Sequence, residues 1–360
     1  VKRHFSNSIA VINLNVIQTN LKAIKERVTG KKILAVVKCD AYRHGAIKVS
    51  KAIENEVDWL AVAHIDEGIE LRMAGIKIPI LVLGVPDYET AAAYQTHNLT
   101  ATVSHETHFS ILMDGTTYHL NFDTGMGRLG FRPAQAASVR NLAIANQRLI
   151  CSGIYSHYAT ADDPGSDFVI DQNDRFLTIL SHFPEIPLVH MSNTGAVANY
   201  ADLNHFDMVR IGLGMLGYNA GEIQYRWLEP ALIWKTNIVQ VRPVEKGDTV
   251  SYSSTWTASK NGYLATLPVG YGDGIPRSIS NKLNVLINKK LYGQVGNVTM
   301  DMTMINLNDD KIAVETEVIL LGGDAWNASD WAKQAGTNIH EILTRLGDRI
   351  TYRYQHEQEV

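Results

Sequence analysis

The sequence predicts an α/β protein, a (β/α)8 TIM barrel followed by a mostly antiparallel β domain. Three observations predict it. Short β-branched runs alternate with helical periodicity through the first part of the chain. The rhythm changes near Trp227, after which strands follow one another without helices. The chain has 360 residues, too many for one ordinary domain and suited to two.

Residues 8–14 alternate apolar side chains and read as a strand ahead of the first barrel unit, able to pair with the second domain. Barrel strands are expected at 33–38, 59–64, 80–83, 100–104, 118–123, 149–157, 188–191 and 208–211. Between them, segments 47–54, 66–74, 89–97, 134–145 and 169–182 repeat apolar residues at three- and four-residue spacing, as helices covering a sheet do. About eight strand–helix units suit a closed barrel, for which ~250 residues is typical. An open doubly wound sheet is the competing topology. The expected domains are 8–228, the barrel, and 229–360, the β domain. In the second domain strands are expected at 232–241, 249–251, 262–267, 282–287, 294–298 and 302–307. Turn signals such as Lys246-Gly247-Asp248 and Lys260-Asn261-Gly262 separate them. A helical piece at 331–346 and a strand at 349–354 complete it.

Composition narrows the function. Apolar residues make up 45% and charged residues 19%, which provides a large core in an ordinary soluble balance. The net charge is −4 and no basic block stands out, so neither nucleic acid nor an anionic membrane surface is an expected partner. Cys39 and Cys151 cannot make a disulfide framework and suit a reducing compartment. Val1-Lys2-Arg3-His4-Phe5 is not followed by an uninterrupted apolar run, because Asn13 and Asn15 break it, and no signal peptide is expected. No stretch approaches the roughly 20 apolar residues of a membrane helix. The expectation is a cytoplasmic protein acting on a small molecule.

In a barrel, chemistry gathers at the carboxyl ends of the strands. Lys38, His157, His190 and Arg210 fall at the ends of the first, sixth, seventh and eighth expected barrel strands. A lysine closing the apolar run Ile33-Leu34-Ala35-Val36-Val37 either snorkels out of the mouth or is buried. Burial lowers its pKa and favours an amine nucleophile able to form a Schiff base. Barrels often bind phosphate in the loops after strands seven and eight. Here those loops carry Ser192, Asn193, Thr194 and Gly195, and then Gly212, Leu213 and Gly214, with Tyr42 close in sequence to the lysine. A Schiff-base lysine facing a phosphate site implies pyridoxal 5'-phosphate. The run Gly125-Met126-Gly127-Arg128-Leu129-Gly130 fits a dinucleotide fingerprint, but it carries an arginine where pyrophosphate needs space and lacks the acidic ribose contact about 20 positions on. No metal-ligand spacing stands out. His119, His182 and His205 read as core or surface residues, and Cys39 as a small packed side chain.

At this point the residues resemble a family. AVVKCDAYRHG at residues 35–45 closely resembles the lysine motif of alanine racemases, AVVKADAYGHG. The likeness continues in order through DTGMGRLG at 123–130, SHYATAD at 156–162, HMSNT at 190–194, VRIG at 209–212, VSY at 250–252, PVGYGDG at 268–274 and Met300-Asp301. The family architecture is a barrel followed by a β domain. The resemblance implies that Lys38 is the Schiff-base lysine and the base on one face of the substrate, and that Tyr252 of the partner subunit is the base on the other. His157 and Arg210 resemble the hydrogen-bond chain behind the bases, with Arg210 facing the pyridine nitrogen. Arg128 resembles the contact to the cofactor phenolate and the substrate carboxylate. Tyr42, Asn193, Thr194, Gly212, Leu213 and Tyr271 match cofactor-phosphate or entrance positions, and Met300 of the partner subunit is expected to hold the carboxylate through its amide. The implied protein is a homodimer with shared active sites that racemises L- and D-alanine and supplies D-alanine for peptidoglycan. The alternatives are a racemase preferring serine or a broader range, a decarboxylase of the same architecture, and a cofactor carrier.

Four departures mark the sequence. Asn121 stands where many members carry a carbamylated lysine that buttresses the arginine, so Arg128 needs Asn121 itself or a bound anion to orient it. Arg43 replaces the usual glycine of the lysine motif, and Asn297 the usual arginine before Met300-Asp301. Asp348 replaces a tyrosine near the phosphate and the substrate entrance, either leaving room for a larger substrate side chain or pairing with an arginine; Tyr352 is the alternative tyrosine. Residues 341–347 also resemble serine/alanine racemases linked to vancomycin resistance.

Overall fold

A computed structural model describes residues 7–221 and 225–356. The amino-terminal segment read above for a signal peptide, residues 222–224 of the first expected domain and residues 357–360 of the second lie outside the described residues. Ile17–Leu228 form one compact unit; the described residues before Ile17 join those from Glu229 onward as the other.

Strand β1, Ile9–Asn13, opens the described chain, and the helix Leu14–Arg27 follows it directly. That helix escaped the sequence reading although Ile17, Leu21, Ile24 and Val28 bury one face at helical spacing. The first unit then lays down β2 Lys32–Val36, β3 Trp59–Val62, β4 Ile80–Val82, β5 Ala101–Val103, β6 Thr117–Asn121, β7 Ile150–Tyr155, β8 Val189–His190 and β9 Met208–Ile211. All neighbours are parallel, in the order β4-β3-β2-β9-β8-β7-β6-β5. A parallel bridge from Leu81 to Thr100 brings the two ends of this sheet together, with Val82 N donating to Thr100 O at 2.9 Å and Thr100 N to Ile80 O at 2.8 Å. Eight parallel strands so closed are the expected barrel, and the open sheet is excluded. The covering helices include Ala46–Ile53, Ile65–Met73, Ala91–Thr96, Ala136–Ala145 and Asp167–Leu180, close to the expected spans.

The second unit is built on β10 Leu232–Asn237, β11 Gln240–Val244, β12 Thr249–Val250, β13 Trp256–Thr257, β14 Gly262–Leu267, β15 Asn284–Ile287, β16 Lys290–Gly293, β17 Thr303–Asn308, β18 Glu317–Leu321 and β19 Thr351–Gln355. A six-stranded sheet runs β16-β15-β18-β10-β1-β19, antiparallel except for β1 with β19. A three-stranded antiparallel sheet runs β11-β14-β17, and β12 pairs with β13. Three expectations change here. The strand expected at 294–298 does not form: the pairing strand is β16, and Gln294 makes only an isolated bridge to Ile305. The single strand expected at 232–241 is two, because the chain breaks at Ile238-Val239 and switches sheets. The single helix expected at 331–346 is Ala328–Ala335 and Ile339–Thr344, divided at Gly336, whose φ of +70° ends the first as a left-handed cap. No described helix is long and apolar enough to cross a membrane.

Candidate active site

The apolar run that forms β2 stops at Val36, and Lys38 opens a turn instead of closing the strand. Cys39, Asp40, Ala41 and Tyr42 all have φ near +50°, and Arg43 has +64°. Non-glycine residues in this region cost roughly 1–2 kcal/mol each, so the turn needs compensation. Asp40 supplies part of it, its side chain accepting from Ala46 N at 2.6 Å and its carbonyl from Gly45 N at 2.9 Å. His44, fully buried and pushed down to about 4 by burial, bonds Tyr42 O through Nδ1 at 3.0 Å. The left-handed turn explains why glycine is at ease where Arg43 stands. It also corrects the reading of Cys39, which is exposed rather than packed. Tyr42 is turned inward and buried. The Lys38 amine is held below the ordinary lysine range, first by burial, then by the Arg128 charge, with Arg210 adding to it.

Behind the lysine lies a chain of nitrogens. Arg210, on β9 and 4% exposed, is pushed down to about 10 by burial and still carries its charge at neutral pH. One of its terminal nitrogens donates to His190 Nδ1 at 2.9 Å; the other donates to His157 Nδ1 at 2.8 Å, to Ser156 O at 2.8 Å and to Met191 O at 3.1 Å. A guanidinium only donates, so both histidines accept at Nδ1 and keep their proton on Nε2. His190 then donates from Nε2 to His119 Nδ1 at 2.9 Å. His119 is left with its own proton on Nε2, an atom with no hydrogen-bond partner, packed where a Cβ on Gly153 would come within 2.8 Å. Burial first, and the Arg210 charge second, keep all three rings neutral, with His119 pushed down to about 3. Tyr155 stacks on His190 with centroids 4.9 Å apart, and Gln172 fixes His157 by donating to its carbonyl at 2.9 Å. His119 and Tyr155 are members that the sequence reading missed. Alternation puts His119 on the same face of β6 as Asn121 but does not tell what it bonds.

Next to this chain is bare backbone beside hydroxyls. A Cβ on Gly212 would meet Tyr42 Oη at 2.5 Å, and one on Gly214 would meet the Thr194 side chain at 2.7 Å. Leu213 is buried between them. Asn193 is less available, because its side-chain oxygen caps the following helix by accepting from Ala196 N at 2.9 Å. The glycine fingerprint resolves as a turn wrapped on Asp123, whose Oδ1 accepts from Gly125 N and Gly127 N at 3.0 Å each. Those amides are spent, and a carboxylate occupies the place of a pyrophosphate. Arg128 rises exposed from this loop, with no hydrogen bond or ion pair to a described residue. Asn121 does not hold it: its side-chain oxygen Oδ1 has no hydrogen-bond partner and lies where a Cβ on Gly130 would come within 2.4 Å.

The remaining expected residues belong to the second unit. Tyr252 is 73% exposed on a turn between β12 and β13. The Met300 carbonyl accepts from Gly272 N at 2.9 Å, while its amide donates to no described atom. Tyr271 is partly exposed, its amide held by Thr299 O at 2.9 Å. Arg349 ties these loops together, bidentate on Asp273 at 2.9 Å for both bonds and on Asp301 at 2.7 Å. Asp348, beside it, is exposed, and Tyr352 is committed to β19, paired with Ala10.

Comparison with known proteins covers both units. Residues 12–220 match the family model "Alanine racemase, N-terminal domain", and residues 231–354 match "Alanine racemase, C-terminal domain". An alanine racemase of Cutibacterium acnes is 37% identical over 364 residues, covering 96% of this chain and 97% of that one. One from Streptococcus pneumoniae is 36% identical over 360 residues, covering 96% and 97%. Among solved structures, an alanine racemase of Clostridium difficile 630 superposes with a TM-score of 0.91 at 32% identity, covering 98% of this chain and 97% of that one. That of Bacillus anthracis, solved with bound L-Ala-P, has a TM-score of 0.91 at 32% identity, covering 99% and 97%.

Proposed function

The chain belongs to the alanine racemase family, and on that premise we propose that it interconverts L- and D-alanine with two bases, Lys38 and Tyr252 of the partner subunit. It is an amino-acid racemase, an isomerase that uses pyridoxal phosphate. The observation that carries the two-base reading is the barrel mouth itself, where an amine of lowered pKa shares its surroundings with a charged arginine bonded to His157 and His190.

The mouth fits the cofactor. Lys38 offers a nucleophilic amine; the hydroxyls of Tyr42 and Thr194 and the backbone of Gly212 and Leu213 suit a phosphate, and Asn193 directly precedes Thr194. When bound, pyridoxal phosphate supplies an electron sink that acidifies the Cα–H bond of the amino acid. Racemisation then needs a base on each face, one removing the α-proton and the other returning a proton. Neutral Lys38 serves one face. A free tyrosine, with pKa about 10, is a poor base at neutral pH, so Tyr252 of the partner subunit needs a donor to its oxygen. His157 provides one, because Arg210 occupies Nδ1 and leaves the proton on Nε2. Arg210 keeps its own proton, so a nitrogen it faces receives a hydrogen bond and no charge. That weakens electron withdrawal and favours prompt reprotonation over transamination. Arg128 and the amide of Met300 of the partner subunit hold the carboxylate. Asp348 borders the substrate entrance. The unit Ile17–Leu228 is then the cofactor-binding barrel, the unit from Glu229 onward, which β1 joins, supplies the second base, and the working unit is a homodimer with shared sites. The family supports a place in the cytoplasm and D-alanine for peptidoglycan as the product's use.

Chiral chromatography after incubating the cofactor-loaded protein separately with L-alanine, L-serine and L-lysine tests this. D-alanine should form fastest. Faster D-serine or D-lysine refutes the substrate, and no D-isomer from a protein that holds its cofactor refutes racemisation.

A further inference from the structure

Tyr252 sits on a backbone that its neighbours do not favour. Ser251 has φ +66° and ψ −177°, a region essentially confined to glycine, and Ser253 and Ser254 have φ of +62° and +46°. Such residues cost about 1–3 kcal/mol each and persist only where the surroundings hold them. The holding is visible. Asn297 Nδ2 donates to Tyr252 O at 2.8 Å, and Ser251 Oγ donates to Asn297 O at 2.6 Å. One residue thus grips the turn from both sides, with its side chain on the tyrosine carbonyl and its own carbonyl on the serine. The grip has a firm root. Val250 and Val295, which lead into the two segments, share a buried cluster with Val244, Ala258 and Leu264. Gly296 lets them approach, since a Cβ there would stand 2.7 Å from Val250 O. Asn281 steadies the same pair, accepting from Gly296 N at 2.7 Å and donating to Thr255 Oγ1 at 3.2 Å.

We propose that Asn297 is a positioning residue for the second base, holding the strained Ser251–Ser254 turn so that Tyr252 is presented in one fixed direction. The inference rests on the reading of Tyr252 as that base. Asn297 is the side chain that bonds the Tyr252 carbonyl, across 45 residues of sequence, so its amide is the specific handle. Glutamine-length or charged replacements do not reproduce it: an aspartate is the same size but lacks the donor and sets a negative oxygen against the carbonyl.

The test uses the full-length, cofactor-loaded Asn297→Asp and Asn297→Ala variants, with Tyr252→Phe alongside. An enzyme cannot change the equilibrium between enantiomers, so kcat/KM must fall alike in both directions, here by about ten-fold or more for a base displaced by around 1 Å. The α-deuterium isotope effect should rise only in the direction in which Tyr252 removes the proton. Amide exchange across residues 251–255 should speed up in the cofactor-free protein, with its melting temperature little changed. If kcat/KM stays within about two-fold of the parent, or the isotope effects rise equally in both directions, Asn297 is not a positioning residue. If Tyr252→Phe itself racemises normally, the two-base reading beneath the proposal fails, whatever Asn297 does.

Discussion

Gly212→Ala is the sharpest probe of how the barrel mouth is built. The added methyl would stand 2.5 Å from Tyr42 Oη, 3.2 Å from its Cζ and 3.3 Å from its Cε2. Comfortable contact lies at about 3.5–4.0 Å, so the phenol must retreat by roughly 1 Å. Gly212 has φ −114°, outside the left-handed region, and ψ −92°, so an alanine there meets a sparsely populated backbone as well as the clash. Tyr42 has little freedom to yield, being buried with its own φ of +53° fixed in the turn after Lys38. Overpacking of this kind costs about 1–3 kcal/mol, which for a unit of this size lowers Tm by about 2–12 °C. If Tyr42 holds the cofactor phosphate as proposed, the retreat also costs that hydrogen bond and weakens cofactor binding by about ten-fold. Thermal unfolding of the cofactor-free protein and a pyridoxal phosphate titration by absorbance measure the two effects. Gly212→Ala combined with Tyr42→Phe removes the 2.5 Å contact and should recover more than half of the lost Tm. A single variant with the parent's Tm and Kd, or a double variant that recovers nothing, would refute the packing argument.

Two further outcomes follow from the charges. His44 and His119 are held by burial to about 4 and about 3, so below pH 6.5 the unfolded chain binds protons that the folded chain does not. Stability is therefore lost as pH falls, by about 2 kcal/mol for each histidine at pH 5; the urea midpoint should drop between pH 7 and pH 5, and an unchanged midpoint would contradict the buried neutral rings. Removing the Arg128 charge takes away an influence that lowers the Lys38 pKa. In Arg128→Gln the pH at which the cofactor-free protein takes up pyridoxal phosphate at half its maximal rate should move upward, and a shift downward or none would show that Arg128 does not act on the lysine.

The barrel was legible because its strands are buried on both faces and read as apolar runs separated by amphipathic helices. What the sequence hid has physical reasons. Val36-Val37-Lys38 looks like a continuing strand, since nothing in five non-glycine residues announces a left-handed turn. Ile238-Val239 keeps the alternation of β10 into β11, so a change of sheet leaves no mark on a period of two. Strand β18 was missed although Val318, Leu320 and Leu321 are buried. Lys38, His157 and Arg210 were visible from their places at strand ends. His119 was not, because a histidine inside a strand has the same pattern whether it merely packs or extends a hydrogen-bond chain; only the Arg210 network fixes its role. Asn297 was visible as a departure, but its bond to Tyr252 O joins residues 45 apart in sequence.

The central claim is that one active site draws Lys38 from one subunit and Tyr252 from the other. Lys38→Ala and Tyr252→Phe proteins, each inactive alone, should be unfolded together, refolded as an equal mixture with pyridoxal phosphate, and assayed for D-alanine formation. In a two-fold dimer, half of the random pairs are hybrids, and each hybrid keeps one site with both bases intact, so activity should return to about a quarter of the parent's. A mixture as inactive as its parts, in which hybrids have been shown to form, would mean that both bases come from the same chain.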